Sequence, residues 1–166
     1  MNRRHIREHV FCMLFEKDFY ERTELPGQLL LYLDEVEAVQ EDKDYLLERT
    51  LQVVDLTEEI DKEIDALSDG WRISRIGKTD LAILRLAIYE IRHDEMIPVS
   101  VSINEAVELA KKYGGDRSYG FINGILAKLV KEHPELLKKD DALKKKAVSE
   151  EADSDAGEAA SGEGLE

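Results

Sequence analysis

The sequence predicts an all-α protein, and three observations support that class. Leucine, isoleucine and valine are plentiful, whereas aromatic residues make up only 7% of the 166 residues. Apolar residues recur every three or four positions over most of the chain, which is the period of an amphipathic helix. The three prolines, Pro26, Pro98 and Pro134, are widely spaced. This spacing favours long helices over a sandwich of short strands.

The first helix is predicted from about Arg3 to Tyr20. Its apolar stripe consists of Ile6, Val10, Phe11, Leu14 and Phe15. Three cations, Arg3, Arg4 and Arg7, lie off this stripe, in or near the first turn. Positive charge opposes the helix dipole at that end. The placement is slightly unfavourable for folding, which favours a binding role for outward-facing arginines.

Three further elements are predicted before residue 77. Pro26 and Gly27 open a second helix, and a third, acidic helix spans about 44–67, ended by Asp69 and Gly70. Most of its carboxylates are expected to form a solvated face. Residues 71–76 predict a short helical turn.

A buried helix follows, up to about Arg92. Thr79 is the predicted N-cap, and Asp80 lies at the positive end of the helix. Leu81, Leu84, Ile88 and Ile91 recur at helical spacing and predict its buried side.

Two more helices complete the predicted fold. Ser102 and Glu105 have the spacing of a capping box, in which each side chain satisfies a free backbone N–H. The helix that they would start, 103–113, ends at two consecutive glycines. The last long helix is predicted over 117–133, and Pro134 ends it.

The chain is expected to contain one domain over 1–137, followed by a disordered charged tail over 138–166. The tail is rich in Lys and then in Glu, Asp, Ala, Ser and Gly, with almost no apolar residues to bury.

The net charge of −14 is unevenly distributed. Residues 147–166 contain seven acidic residues and no basic ones, and residues 34–69 contain 14 acidic residues against three basic ones. The rest of the chain is therefore slightly positive. Overall acidity does not exclude an anionic partner.

The composition also indicates a location. A single cysteine, Cys12, excludes a disulfide framework within the chain and fits a reducing compartment. The apolar run 10–15 is too short for a signal peptide, and no run approaches the roughly 18 residues of a membrane helix. We expect a cytoplasmic protein.

One short motif suggests a metal site. His5, Glu8 and His9 fit the H-x-x-E-H pattern of some zinc peptidases. No third ligand has an identifying context, the motif starts near the chain end, and the flanking arginines would repel a dication. A zinc-dependent hydrolase remains an alternative on sequence alone.

A second pattern suggests RNA. Arginine binds two phosphate oxygens with one planar group, which suits Arg3, Arg4 and Arg7 to a phosphate backbone. A second basic group with one nearby aromatic ring suits single-stranded nucleic acid. It comprises Lys111, Lys112, Arg117, Ser118 and Phe121. Solvated charges and a core phenylalanine are the alternative interpretation of the same residues.

Four blocks together resemble the NusB family of transcription antitermination factors. They are Leu84-Arg-Leu-Ala-Ile-Tyr-Glu90, Pro98, Ile103-Asn-Glu-Ala-Val-Glu-Leu-Ala-Lys111, and Ser118 with Phe121-Ile-Asn-Gly-Ile-Leu126. The resemblance runs from about Arg3 to Val130. The same domain begins some ribosomal RNA methyltransferases, but the chain length favours the stand-alone factor.

The resemblance implies two packed helical bundles, no catalytic activity and no cofactor. It implies binding of boxA RNA in ribosomal RNA leader transcripts, together with the ribosomal protein NusE, in a complex that helps RNA polymerase pass terminators. The family's arginine-rich motif falls on Arg3, Arg4 and Arg7. Its RNA surface continues over Lys111, Lys112, Arg117, Ser118 and Phe121. The protein partner's surface is implied to include Phe15 and Asp80.

Two questions stay open at the level of sequence. A helical adaptor that binds protein but no RNA is a further alternative. The acidic tail is also expected to be able to fold back on the basic residues and compete with RNA.

Overall fold

A computed structural model of the chain describes residues 1–70 and 72–163, with side chains described up to residue 154. All regular elements in these ranges are helical, which confirms the predicted all-α class. The eight α-helices are α1 (Arg3–Glu16), α2 (Leu25–Asp34), α3 (Gln40–Asp55), α4 (Thr57–Leu67), α5 (Lys78–His93), α6 (Val99–Tyr113), α7 (Ser118–Glu132) and α8 (Lys138–Glu163). Short 3₁₀ helices cover Lys17–Phe19, Ile73–Arg75 and Pro134–Leu137.

Helix α5 lies at the centre of the molecule. Every residue from Leu81 to Ile91 is buried, so this helix is covered on all sides. Helices α1, α2 and α3 pack together as one bundle, and α4, α5, α6 and α7 pack as the second. Because α1 and α3 also contact α5, the two bundles share one continuous apolar core.

The predicted first and third helices differ from the observed ones. Helix α1 ends at Glu16 and continues only as a 3₁₀ turn. The predicted helix over 44–67 starts earlier, at Gln40, and is interrupted at Leu56. Helix α3 packs on α1 and α2, whereas α4 packs on α5 and α7. The interruption lets the chain change direction between these two sets of partners. Helix α4 ends before Asp69 and Gly70, both of which adopt positive φ.

Two predicted helix starts are wrong. Helix α5 begins at Lys78 with Gly77 as its N-cap, two residues before the predicted N-cap Thr79. Helix α6 begins at Val99, directly after Pro98. Ser102 and Glu105 therefore lie inside α6 and form no capping box. Their side chains bind other helices instead, as described below.

The turn between α6 and α7 depends on a glycine. A Cβ atom at Gly114 would lie 2.5 Å from the Cβ of Ser118 and 2.7 Å from the carbonyl oxygen of Ala110. Only a residue without a side chain allows this close approach. The glycine thus sets how closely the start of α7 lies against the end of α6.

The segment predicted to be disordered is helical over Lys138–Glu163. Alanine, lysine and glutamate favour helix locally, which accounts for the difference. All described side chains from Lys144 to Ser154 are exposed, so no packing stabilises this part. Two residues at its start do contact the body, Lys139 and Asp140. The boundary at 137 stays a prediction. Trp71 and residues 164–166 of the predicted turn and tail lie outside the described residues.

Candidate nucleic-acid interface

Arg7 points into the protein. Its Nε and Nη2 donate hydrogen bonds of 2.9 and 3.0 Å to the two carboxylate oxygens of Glu90 on α5. The side chains of Arg7 and Glu90 are only 10% and 4% exposed. Ser102 on α6 donates a further 2.9 Å hydrogen bond to Glu90. The expectation that all three arginines of α1 face outward is therefore wrong for Arg7, because its position on α1 faces α5.

Arg4 and Lys112 lie over one groove between α1 and α6. Arg4 donates through Nη2 to Glu105 at 2.9 Å, and Lys112 donates through Nζ to Glu8 at 2.5 Å. Tyr113 also donates a hydrogen bond to Glu8. The Arg4 and Lys112 side chains remain 69% and 60% exposed. The structure thus brings together two predicted RNA-binding cations that are more than a hundred residues apart.

Glu105 and Glu8, two of the carboxylates that line this groove, have pKa values below the ordinary value of a glutamate. The hydrogen bond from Arg4 lowers the pKa of Glu105, and the hydrogen bonds from Lys112 and Tyr113 lower the pKa of Glu8. Each exposed cation is therefore partly neutralised in the free protein. An RNA phosphate that binds Arg4 or Lys112 competes with a carboxylate already present.

The other predicted cations are exposed. Among the described residues, neither Arg3 nor Arg117 has an acidic partner within ion-pair distance. Lys111 lies 3.6 Å from Glu108, and its Nζ lies 5.8 Å from the centre of the Tyr119 ring. These three residues extend the positive surface beyond the groove.

Arg117 and Phe121 line a cleft of about 520 Å³ at the start of α7. Phe121 is partly buried, with its ring against the core. This position is compatible with either predicted role, stacking on a base or packing in the core. Asp80 and Arg75 lie on the other side of the cleft. Ser118 is buried, and its hydroxyl accepts a 3.0 Å hydrogen bond from the Gly115 N–H. It shapes the loop rather than presenting its side chain to solvent.

The predicted partner-binding residues lie beside this cleft. Phe15 is partly exposed and its ring packs against Phe19, with the ring centres 5.4 Å apart. Both line a second depression, of about 390 Å³, which also includes Thr79. Asp80 follows Thr79 directly and lines the first cleft. The start of α5 therefore joins the aromatic surface to the surface of Arg117 and Phe121.

Two of the three H-x-x-E-H residues, Glu8 and His9, make other contacts. Glu8 binds Lys112 and Tyr113, and Nδ1 of His9 lies 2.7 Å from the hydroxyl of Tyr32. Within the part of the chain that the structure describes, no three His, Cys, Asp or Glu side chains form a group suited to a metal ion. The zinc alternative therefore lacks a ligand set in these residues.

Sequence reasoning missed the acidic partners of the interface. Glu8 and Glu105 pair with the two groove cations, but the sequence separates each pair by about a hundred residues. Arg75 was also missed, and its place on the cleft depends on how the short 3₁₀ helix lies against α7. The sequence offered one indication, namely that Arg75 is a basic residue close to the predicted start of the buried helix.

Comparisons with known proteins agree with this architecture. The NusB family model matches residues 4–131. The transcription antitermination protein NusB of Lachnoclostridium phytofermentans is 53% identical over 131 residues, which cover 78% of this chain and 99% of that protein. The NusB of Agathobacter rectalis is 49% identical and covers 77% of this chain, and 98% of that protein is matched.

Solved structures agree as well. A T. maritima NusB structure superposes with a TM-score of 0.72 at 34% identity, covering 80% of this chain and 93% of that one. A chain in a crystal structure described as a plectonemic RNA supercoil superposes with a TM-score of 0.67 at 25% identity, covering 79% and 95%. None of the helices in the described ranges is long and apolar enough to cross a membrane. The chain belongs to the NusB family, whose members are transcription antitermination factors rather than enzymes.

Proposed function

We propose that this chain binds the boxA sequence of ribosomal RNA leader transcripts together with the ribosomal protein NusE. The complex would then help RNA polymerase read through terminators. The observation that carries the proposal is that Arg4 and Lys112 meet over the groove between α1 and α6, with Arg117 exposed at the start of α7, five residues after Lys112. The chain acts in the cytoplasm, where bacterial transcripts are made.

The RNA surface proposed here consists of exposed cations with one aromatic ring. Arg3, Arg4, Lys112 and Arg117 are exposed and neutralise phosphates, while the partly buried Phe121 lines the adjoining cleft. Neutralised phosphates release counterions, so binding weakens steeply as salt concentration rises. A stacked base adds affinity with little sequence preference.

Arg7 has a different part in this proposal. Its guanidinium donates from Nε and Nη2 to the Glu90 carboxylate and is nearly buried, so it holds the α1 backbone in place. It thereby positions Arg4, which lies less than one helical turn earlier on the same helix. Its contribution to RNA affinity is therefore indirect.

The protein partner is proposed to bind the aromatic surface beside α5. Phe15, Phe19 and Tyr20 are exposed, and Asp80 lies at the adjoining helix start. Exposed aromatic rings beside a charged rim are typical of binding surfaces. Because Asp80 also lines the cleft of Arg117, a bound partner would lie next to the RNA and extend its binding surface.

A titration of boxA RNA and a scrambled RNA, each with and without NusE, tests the proposal. We expect tighter binding of boxA RNA, a further gain with NusE, and weaker binding for Arg4→Ala and Arg117→Ala. Lys62→Ala is the matched control, since Lys62 is an exposed cation on α4, away from both surfaces. Equal affinity of wild type and both variants for boxA RNA would overturn the proposed site. If the chain binds NusE but neither RNA, the result would favour the alternative of a protein-binding adaptor.

A further inference from the structure

A recess of about 350 Å³ lies on the flank of α1 that faces α3, separate from the groove between α1 and α6. Its walls come from α1, from α3, from α5 and from the connector after α5. The residues that matter for its chemistry are Arg3, Tyr45, Arg49, Asp94 and Met96. Its size is at the lower end of the range of sites that hold small organic ligands.

The recess has one cation without an acidic partner. Arg7 neutralises Glu90, and Arg49 neutralises Asp94 through a 2.9 Å ion pair. Arg3 stands at the rim, exposed and without an ion pair to any described residue. The walls therefore carry a net positive charge, located where an entering phosphate would arrive.

Among the described residues, one aromatic ring lines the recess, that of Tyr45, beside Arg49. The Arg49 guanidinium lies between two tyrosine rings, 5.5 Å from the centre of Tyr45 and 5.2 Å from the centre of Tyr89. This stacking and the ion pair with Asp94 fix the guanidinium in place. Tyr89 is buried, but Tyr45 is 42% exposed and Met96 is largely exposed. The ring of Tyr45 thus presents a flat apolar surface to solvent.

Arg49 also keeps an unused hydrogen-bond donor. The Nε atom of Arg49 is buried and has no hydrogen-bond partner among the described residues. Buried polar atoms are nearly always paired in folded proteins, so such an atom calls for an explanation. A ligand oxygen or ring nitrogen is one acceptor that would satisfy it.

We propose that this recess binds one nucleotide of the RNA, with the base stacked on Tyr45 and a phosphate on Arg3. The inference rests on the proposed RNA-binding function and extends its surface from α1 to α3. Arg3 and Arg4 are consecutive, so a strand whose phosphate lies on Arg4 reaches the recess with the next nucleotide. The flat ring, the single unpaired cation and the small volume fit an unpaired nucleotide better than a folded RNA element.

The test measures binding of labelled boxA RNA to Tyr45→Ala, Tyr45→Phe and Leu31→Ala variants. Tyr45→Ala is expected to weaken binding by about fivefold or more, the range of a lost base–aromatic stack. Tyr45→Phe keeps the ring and should bind within about twofold of wild type. Leu31→Ala removes another exposed apolar side chain, on α2, and should have no effect. Thermal unfolding of each variant confirms that it is folded.

A second measurement locates the contact. RNA that carries 5-iodouridine at one position at a time should form a photo-crosslink with Tyr45 at a single position. Arg3→Ala should reduce the slope of log affinity against log salt concentration by about one. Wild-type affinity of Tyr45→Ala, with Arg4→Ala still impaired, would overturn this inference and leave the proposed function intact. Absence of RNA binding by the wild type would overturn both.

Discussion

Arg7 and Glu90 form an ion pair with two hydrogen bonds between α1 and α5, at a depth where both side chains are nearly inaccessible to water. Ser102 of α6 binds the same carboxylate. One carboxylate thus connects three helices below the proposed RNA surface. An arginine that sequence assigns to RNA is consequently part of the core, and its substitution should affect folding first.

Replacement of Arg7 by alanine should destabilise the fold by about 3–5 kcal/mol, because it leaves the Glu90 carboxylate buried without its cation. Glu90→Gln should also be destabilising, because it leaves the Arg7 guanidinium nearly buried without its anion. Urea unfolding monitored by circular dichroism measures both. Arg4→Ala is the control, and its exposed position predicts little change in the unfolding midpoint. Wild-type stability of Arg7→Ala would contradict the structural role assigned to this pair.

Acid should weaken the fold through Asp18. Burial alone would raise the pKa of Asp18, but the charge and hydrogen bond of Arg85, with Lys17 and Lys78 nearby, lower it below its usual value. The native state therefore binds a proton less readily than the unfolded chain. The stabilising contribution is complete above the unfolded pKa of about 3.9 and is lost as the pH falls through the lowered native value.

Asp18→Asn tests this dependence. The difference in free energy of unfolding between wild type and Asp18→Asn should be largest near neutral pH and should shrink below about pH 4. Urea titrations at a series of pH values measure it. Asp34→Asn, a change at an exposed carboxylate on α2, serves as the control for a general charge effect. A difference that stays constant down to pH 2 would show that Arg85 does not act through this carboxylate.

The helices could be predicted from sequence because their apolar period is a local property. Val10, Phe11 and Leu14 of the predicted α1 stripe are buried, but Phe15 is exposed, and α5 is buried on all sides rather than on the one side predicted. The start of α6 could not be predicted from Ser102 and Glu105. Their spacing matches a capping box, but spacing does not show whether a side chain binds its own backbone or another helix. Here Ser102 binds Glu90 and Glu105 binds Arg4.

The candidate site shows the same limit. Arg4 and Arg7 are three residues apart on one helix, yet Arg4 reaches solvent and Arg7 reaches α5. Which side of α1 is covered depends on the packing of α5 and α6, and a single-sequence pattern does not encode that geometry directly. The pairing of Lys112 with Glu8 could not be predicted from sequence for the same reason.

The start of α8 should contribute to stability through Asp140. Its carboxylate accepts a 2.7 Å hydrogen bond from the backbone N–H of Val99, in the first turn of α6. Asp140→Ala removes this cap and should cost about 1 kcal/mol in free energy of unfolding. Asp141→Ala, at the exposed neighbouring carboxylate, is the matched control and should leave stability unchanged. Equal stability of the two variants would show that the contact with α6 contributes nothing.

The acidic tail should compete with RNA. Lys139 donates hydrogen bonds of 2.9 and 2.8 Å to the carbonyl oxygens of Glu90 and Asp94, and the carboxylate of the same Glu90 binds Arg7. The tail therefore leaves the body close to the arginine-rich end of α1. Beyond Lys146 the sequence carries seven acidic residues and no basic one. The acids from Glu150 to Glu163 lie on α8, and the side chains described there, up to residue 154, are exposed.

Truncation after Lys146 should accordingly tighten the binding of boxA RNA at low salt. Because the start of α8 is attached to the body beside Glu90, the acids tethered to it would compete with phosphates for Arg3 and Arg4 at a high effective concentration, and their removal should favour RNA. The gain should vanish as salt concentration rises and screening shortens the range of the repulsion. A full-length variant with all seven acids changed to their amides separates charge from length, and it should behave like the truncated chain. Equal affinities of all three proteins at low salt would contradict competition, whereas tightening by truncation alone would assign the effect to steric exclusion by the tail.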